Sequence, residues 1–304
     1  MSECRNCGCN ELQDLGFIGR VLPFFLKRVL GMELRVPRSP NPVKQKIRDL
    51  IALPMGLLSR VTSQFAHVEM QLCKRCSFIQ TRIPFHEDDL KRLYVDYRSP
   101  AYHQERIHYE PEYAAIAAAV GYDPMEIHAR TTALNAFLQP QLPAANQRTI
   151  LDYGGSDGRF IPDISGAKFV YDISNVDPLP GVTRIQSESE LLTYSLVLLA
   201  HVTEHVTHPL NLVRKLSEYV EPGGYLYIET PQETTDEQRT ELRSGVARLD
   251  LGIHEHINYY CVPAVAALLE ASGFAVVATE STSVDAGWAQ AVHIRALGRK
   301  LMAH

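Results

Sequence analysis

From residue 149 onward, short apolar runs alternate with stretches of helical spacing. Ile150-Leu-Asp-Tyr153 leads straight into Gly154-Gly-Ser-Asp-Gly158, Lys168-Phe-Val-Tyr-Asp172 is a second short run, and Tyr194-Ser-Leu-Val-Leu-Leu-Ala200 is continuous. Continuous runs suit parallel strands covered on both faces, because neither face meets water. Leu210, Val213 and Leu216 then recur at helical spacing over 209–220, and Glu221-Pro-Gly-Gly224 breaks that pattern before a strand at 225–229. A helix over 262–272 stops at Gly273, and two more strands follow near 275–282 and 289–297. The alternation predicts an α/β, doubly wound sheet whose last two strands form an antiparallel edge hairpin, with the first glycine turn opening a helix.

That first turn marks a cofactor site. Gly154, Gly155 and Gly158 lack a Cβ, so a ligand can lie against the backbone at the mouth of a parallel sheet. A dinucleotide fingerprint needs glycines at first, third and sixth places. Here Asp152 ends the strand itself, Gly154 and Gly158 lie four apart, and Ser156 stands where the middle glycine would be. Asp172 ends the second run, where a crossover sheet places it beside the first turn and a carboxylate can accept both ribose hydroxyls. The turn carries no Lys or Arg to grip a pyrophosphate.

This set resembles the first motif of class I S-adenosylmethionine-dependent methyltransferases, an acid, any residue, then alternating glycines. The resemblance covers roughly 149–300. It implies a Rossmann-like, seven-stranded sheet closed by the edge hairpin, and S-adenosylmethionine as cofactor, bound by Asp152, Gly154, Gly155, Ser156, Gly158, Asp172 and His201.

The amino-terminal half has a different character. Cys4-Arg-Asn-Cys7 and Cys73-Lys-Arg-Cys76 are paired Cys-x-x-Cys knuckles, the spacing of a structural zinc site closed by four thiolates, and Cys9 is an alternative to Cys7. A disulfide framework is the competing reading; the start Met-Ser-Glu-Cys, with no apolar leader, favours zinc in a reducing cytoplasm. Cys261 reads as packing. Between the knuckles, 17–67 holds nine Lys or Arg against Glu33 and Asp49, about +7 on a chain of formal charge −5. Its apolar stretches, 21–26 and 50–58, are shorter than the about 20 residues a membrane span needs. They suit amphipathic helices that cover a site, meet a partner or rest on an anionic membrane surface. Three divisions follow: a zinc ribbon with this insert over 1–97, a helical linker or lid over 98–148, and the methyltransferase domain over 149–304. Residues 78–97 look like the segment joining ribbon to catalytic domain in bacterial methyltransferases of sugar and polysaccharide pathways. There Asp88 and Asp89 start a helix, Leu90 and Leu93 face its core, and Tyr94 and Tyr97 point toward the cofactor.

Methyl transfer from a sulfonium needs alignment of the nucleophile and removal of its proton. Two histidine groups compete to supply the base. His201-Val-Thr-Glu204-His205-Val-Thr-His208 follows the third apolar run, and His254-Glu255-His256 precedes the helix at 262. In the sugar methyltransferases that this chain resembles, a Glu-His pair at the second place is associated with proton abstraction, which implies Glu255 and His256; His205 and His254 remain alternatives. As a metal site, His254 and His256 lack an obvious third ligand in the sequence. The resemblance implies a small polar acceptor, a sugar or nucleotide-linked sugar. Where carbon-methylating relatives carry an aromatic, acid-rich segment, this chain has Leu251-Gly-Ile, which favours transfer to oxygen or nitrogen. An RNA-modifying enzyme and a noncatalytic cofactor-binding module are the rivals; the net charge of −5 and pI near 6.2 argue against the first, so no nucleic-acid partner is expected.

Overall fold

The computed structural model describes residues 3–32, 66–143, 148–174, 176–246 and 249–302. The apolar stretch 50–58 and six of the insert's nine cations (Arg35, Arg38, Lys44, Lys46, Arg48 and Arg60) lie outside the described residues. In chain order the elements are β1 (Leu12–Val21), α1 (Pro23–Leu30), β2 (Ala66–Cys73), β3 (Ile79–Thr81), α2 (Glu87–Leu93), α3 (Pro100–Tyr109), α4 (Pro124–Leu138), β4 (Arg148–Tyr153), β5 (Gly166–Tyr171) and β6 (Val182–Arg184). There follow β7 (Tyr194–Ala200), α5 (Pro209–Ser217), β8 (Val220–Pro231), α6 (Asp236–Ser244), β9 (Leu251–Ile253), β10 (Asn258–Tyr259), α7 (Val262–Ala271), β11 (Phe274–Asp285) and β12 (Gln290–Lys300).

Seven strands form one sheet in the order β11-β12-β8-β7-β4-β5-β6. β4 to β8 pair in parallel, and β12 runs antiparallel to both β8 and β11, so the expected edge hairpin is present. Alternation along each strand assigns the two faces. Ile150, Leu196, Leu198, Tyr225 and Tyr227 pack with Leu134, Phe137 and Leu138 of α4. Leu151, Val197, Leu199, Leu226 and Ile228 pack with Leu210, Val213 and Leu216 of α5 and with Val265, Leu268 and Leu269 of α7. Both faces are covered, which is why the sequence shows unbroken apolar runs.

Two expectations are corrected. The glycine turn does not open a helix: residues 154–165 connect β4 to β5 without one. Gly154, Ser156 and Gly158 all take positive φ (80°, 56° and 81°), and Pro162 follows four residues later, so no run of right-handed helical residues is long enough to form a turn. The second concerns Glu221-Pro-Gly-Gly224, which lies inside β8 rather than before it. The irregularity is absorbed as a register shift against β7 between Tyr194 and Leu196.

A second sheet has the order β10-β3-β2-β1-β9 and combines strands from both ends of the chain. β9 and β10 lie at its opposite edges, yet only residues 254–257 separate them. A flat sheet would put those edges about 19 Å apart across four strand spacings. The five peptide steps from Ile253 to Asn258 reach at most about 18 Å. The sheet therefore curls, and His254, Glu255 and His256 sit on the short bridge across its open side.

Candidate active site

At the carboxyl end of β4, Asp152 is 1% exposed, and neither carboxylate oxygen has a hydrogen-bond partner. Burial, and after it the nearby Asp172, pushes its pKa up to about 7. The loop above leaves no room for side chains: a Cβ on Gly155 would lie 2.0 Å from Asp152 Oδ2, and one on Gly154 would lie 2.6 Å from Val202 Cγ2. Asp172, just past β5, accepts the Ser156 N–H at 2.9 Å and the Ser174 N–H at 2.7 Å, one on each oxygen. Each oxygen keeps a second lone pair. Arg159, the first cation after the turn, folds back onto Asp157 at 2.6 Å and is neutralised there. A buried carboxylate without partners beneath a cradle open only to glycine fits a ribose-bearing cofactor without pyrophosphate.

The loop after β7 and the bridge between β9 and β10 are sewn together. Glu204 O accepts the N–H groups of Ile257 (2.9 Å) and Asn258 (3.2 Å). Asn258 Nδ2 donates to Thr203 O (3.0 Å) and Val206 O (2.7 Å), and Tyr260 OH donates to Thr203 O (3.3 Å). His205 Nδ1 completes the seam 2.9 Å from the Glu255 carbonyl oxygen. A carbonyl only accepts, so that nitrogen carries the proton and Nε2 keeps its lone pair. Burial lowers the His205 pKa to about 4, leaving the ring neutral at neutral pH.

Glu255 and His256 do not touch as a pair. On the bent bridge, Glu255 turns toward α3 and the residues before it: Tyr102 OH (2.8 Å) and Arg106 Nη1 (2.6 Å) donate to Oε1, and Tyr97 OH (3.1 Å) donates to Oε2. Burial opposes its charge, but Arg106, His205 and His254 outweigh that and hold its pKa at about 2. His254 and His256 turn the other way, their ring centroids 4.4 Å apart. His256 Nδ1 lies 3.1 Å and His254 Nε2 3.7 Å from Glu233 Oε1. Although burial disfavours the charged ring, Glu233 lifts the His256 pKa to about 9.

His201 follows β7 at φ 57° with its imidazole between two carboxylates, Nδ1 3.1 Å from Glu204 and Nε2 3.2 Å from Glu229. Glu229, 2% exposed at the end of β8, also binds Arg130, Arg295 and Tyr227. The expected cofactor residues thus divide: the glycine turn and Asp172 form one cradle, and His201 belongs to a buried charge network beside it. Glu233, Glu229, His293, Tyr102 and Arg106 are absent from the sequence reading. Only Glu229, the last residue of the strand expected at 225–229, carried a local signal.

The four cysteines of the two knuckles converge, all four sulfurs lying within 4.8 Å of one another. Cys4 Sγ is 3.8 Å from Cys76 Sγ, and Cys7 Sγ is 3.8 Å from Cys73 Sγ. All six cysteines are free, and Cys9 Sγ instead accepts the Glu11 N–H. Of the basic insert, Arg20 pairs with Asp250 and Arg28 with Glu105. No helix among the described residues is long and apolar enough to cross a membrane.

No curated protein sequence matches the chain. Among solved structures, the chain is similar to the 1,6-didemethyltoxoflavin-N1-methyltransferase of Burkholderia thailandensis, solved with S-adenosylhomocysteine, at 20% identity over 63% of this chain and 90% of that one, with a TM-score of 0.43. It is also similar to the N-methyltransferase NodS of Bradyrhizobium japonicum in complex with S-adenosylhomocysteine, at 16% identity over 59% and 89% of the two chains and a TM-score of 0.40. Residues 115–279, more than half of the chain, match the family described as Methyltransferase domain. The chain belongs to this methyltransferase family and is an S-adenosylmethionine-dependent methyltransferase.

Proposed function

We propose that this enzyme methylates an oxygen of a small polar acceptor, a sugar or nucleotide-linked sugar being the class to which the sequence resemblance points, with His205 as general base. The observation that carries this reading is the hydrogen bond from His205 Nδ1 to the Glu255 carbonyl, which fixes the tautomer and leaves Nε2 as a proton acceptor. When bound, S-adenosylmethionine supplies an electrophilic methyl on a sulfonium. Asp172 and the glycine turn are the residues to hold its ribose and exclude water beneath it. His205 Nε2 would take the acceptor's hydroxyl proton as that oxygen accepts the methyl group. Glu255 acts by position: three donors from 97–106 anchor its carboxylate, and so hold its carbonyl on His205. This reading moves the base from His256, whose Nδ1 is turned onto Glu233, to His205.

The four thiols fit structural zinc. A tetrahedron of sulfurs about 2.3 Å from the ion has edges of about 3.8 Å, matching the two pairs. A closed shell of four protein ligands leaves no open position, which assigns such an ion to folding.

Transfer of labelled methyl to a panel of nucleoside-diphosphate sugars tests the base. For His205→Gln, turnover is expected to fall about 10²- to 10⁴-fold with S-adenosylhomocysteine affinity unchanged. Undiminished turnover would remove His205 from the role, and a wild-type enzyme inert on the whole panel would remove the sugar class.

A further inference from the structure

The bridge between β9 and β10 carries a second group of metal-binding character. In sequence His254 and His256 have no third ligand; the fold supplies one, Glu233, from the segment after β8. One carboxylate oxygen of Glu233 lies 3.1 Å from His256 Nδ1 and 3.7 Å from His254 Nε2, and the three ligand atoms all fall within 4.8 Å of one another. Ligands about 2.0–2.2 Å from a common ion stand about 3–3.5 Å apart in tetrahedral or octahedral shells, so the two separations from Glu233 to the imidazoles are close to those of a filled site. His256 Nδ1 is buried and, despite its proximity to Glu233, makes no aligned hydrogen bond. An atom placed at ion-ligand range without the alignment of a hydrogen bond suits a cation between the groups better than a shared proton.

Two neighbouring groups have similar composition, the second of them sharing His256, and the carboxylates of both are already engaged. Glu229 with His201 and His293 is occupied by Arg130, which binds Oε1, and by Arg295 and Tyr227 on Oε2. A divalent ion there would face two guanidinium groups. Glu204 with His205 and His256 already has Thr230 OH on Oε2 and His201 at Oε1, and the His205 Nδ1 proton is committed to Glu255 O. Glu233, by contrast, has the two imidazoles as its ion-pair partners, and its side chain is 26% exposed, which gives an ion a route in.

We propose that Glu233, His254 and His256 form a divalent transition-metal site of the two-histidine, one-carboxylate type, with its remaining coordination positions open toward the acceptor. Two imidazoles and a carboxylate suit Zn²⁺, Mn²⁺ or Fe²⁺. Three protein ligands leave room for an oxygen of a second molecule, the arrangement by which an ion holds and acidifies a hydroxyl. The role rests on the reading of His205 as base, since the His205 and His256 rings are 4.9 Å apart and an oxygen held by the ion would stand beside the base. The site itself does not rest on that reading.

The test uses the full-length chain with its cysteine cluster loaded with zinc. Co²⁺ is titrated in and followed by its d–d absorption; absence of a thiolate charge-transfer band beside it distinguishes nitrogen and oxygen ligation from the cysteine cluster. One equivalent per chain is expected. Glu233→Gln and His254→Gln, two variants checked for native circular dichroism, should each weaken it at least tenfold, while His293→Gln in the neighbouring network leaves it unchanged. Absence of the equivalent in the wild type, or its persistence at full affinity in both ligand variants, overturns the proposal; loss in His293→Gln alone would move the ion to Glu229 and overturn it equally. Because the titration needs no methyl acceptor, its failure is distinct from failure of the base assignment.

Discussion

Asp152 makes the stability of the fold depend on pH. Its carboxylate is buried without partners, and its pKa is raised to about 7, against about 3.9 for an unfolded aspartate. The folded state therefore binds more protons than the unfolded one between these values, so its contribution is fully present below about pH 4 and is lost as pH rises through 7. Asp152→Asn removes the titration. In thermal melts without ligand, the variant's Tm advantage over wild type should widen by several degrees from pH 5 to pH 8; equal Tm differences at the two pH values would contradict the assignment. Ser156 gives a second residue-scale prediction. Its φ of 56° is the left-handed region that the methyltransferase motif fills with glycine. Ser156→Gly should leave stability within about 1 kcal/mol, and Ser156→Val should lose about 1–3 kcal/mol by denaturant titration. The sequence showed both positions, because the motif is local; it did not show that Asp152 lacks a partner, which depends on packing.

Among elements, the seam between the two histidine loops turns on Asn258, which is 1% exposed and donates to two carbonyls. Asn258→Ala leaves Thr203 O with only the weaker Tyr260 contact and removes the Val206 bond, so a loss of about 2–3 kcal/mol is expected, with turnover falling because His205 and Glu255 lose their mutual placement. Unchanged stability and turnover would show that the loops are held by something else. This seam explains what was and was not legible. The apolar runs of β4, β7 and β8 and the helical spacing of α5 and α7 are local patterns with one reading, and they were visible. The two-residue strand β10 and three-residue strand β9 are too short for a period to show, and the 254–257 bridge is a consequence of sheet curl. Tyr102 and Arg106 meet Glu255 across about 150 residues of sequence, and no local signal announces such a contact. The helix expected after the glycine turn failed for a reason the sequence does contain, Pro162 close behind left-handed residues.

Over the whole molecule, the amino-terminal segment is integral to the catalytic half. The Arg5 carbonyl accepts the Leu210 N–H from α5, Asn6 Nδ2 donates to Ala264 O in α7, and Cys4, Cys73 and Cys76 pack in the same apolar cluster as Val213, Val265 and Leu268. Loss of a structural ion from this cluster should therefore destabilise the seven-stranded sheet that carries the glycine turn. Cys4→Ser is expected to abolish one tightly held zinc per chain and lower the single melting transition of the whole protein. A purified wild type whose cysteine cluster is metal-free at full stability would overturn the zinc assignment.

The central claim is that the glycine turn and Asp172 hold the ribose of S-adenosylmethionine. Calorimetric titration of the zinc-replete protein with S-adenosylhomocysteine addresses it most directly, comparing wild type with Asp172→Ala. The account predicts one site per chain and an affinity reduced about 10- to 100-fold in the variant, the loss of hydrogen bonds to a charged acceptor. An affinity unchanged by Asp172→Ala would contradict it.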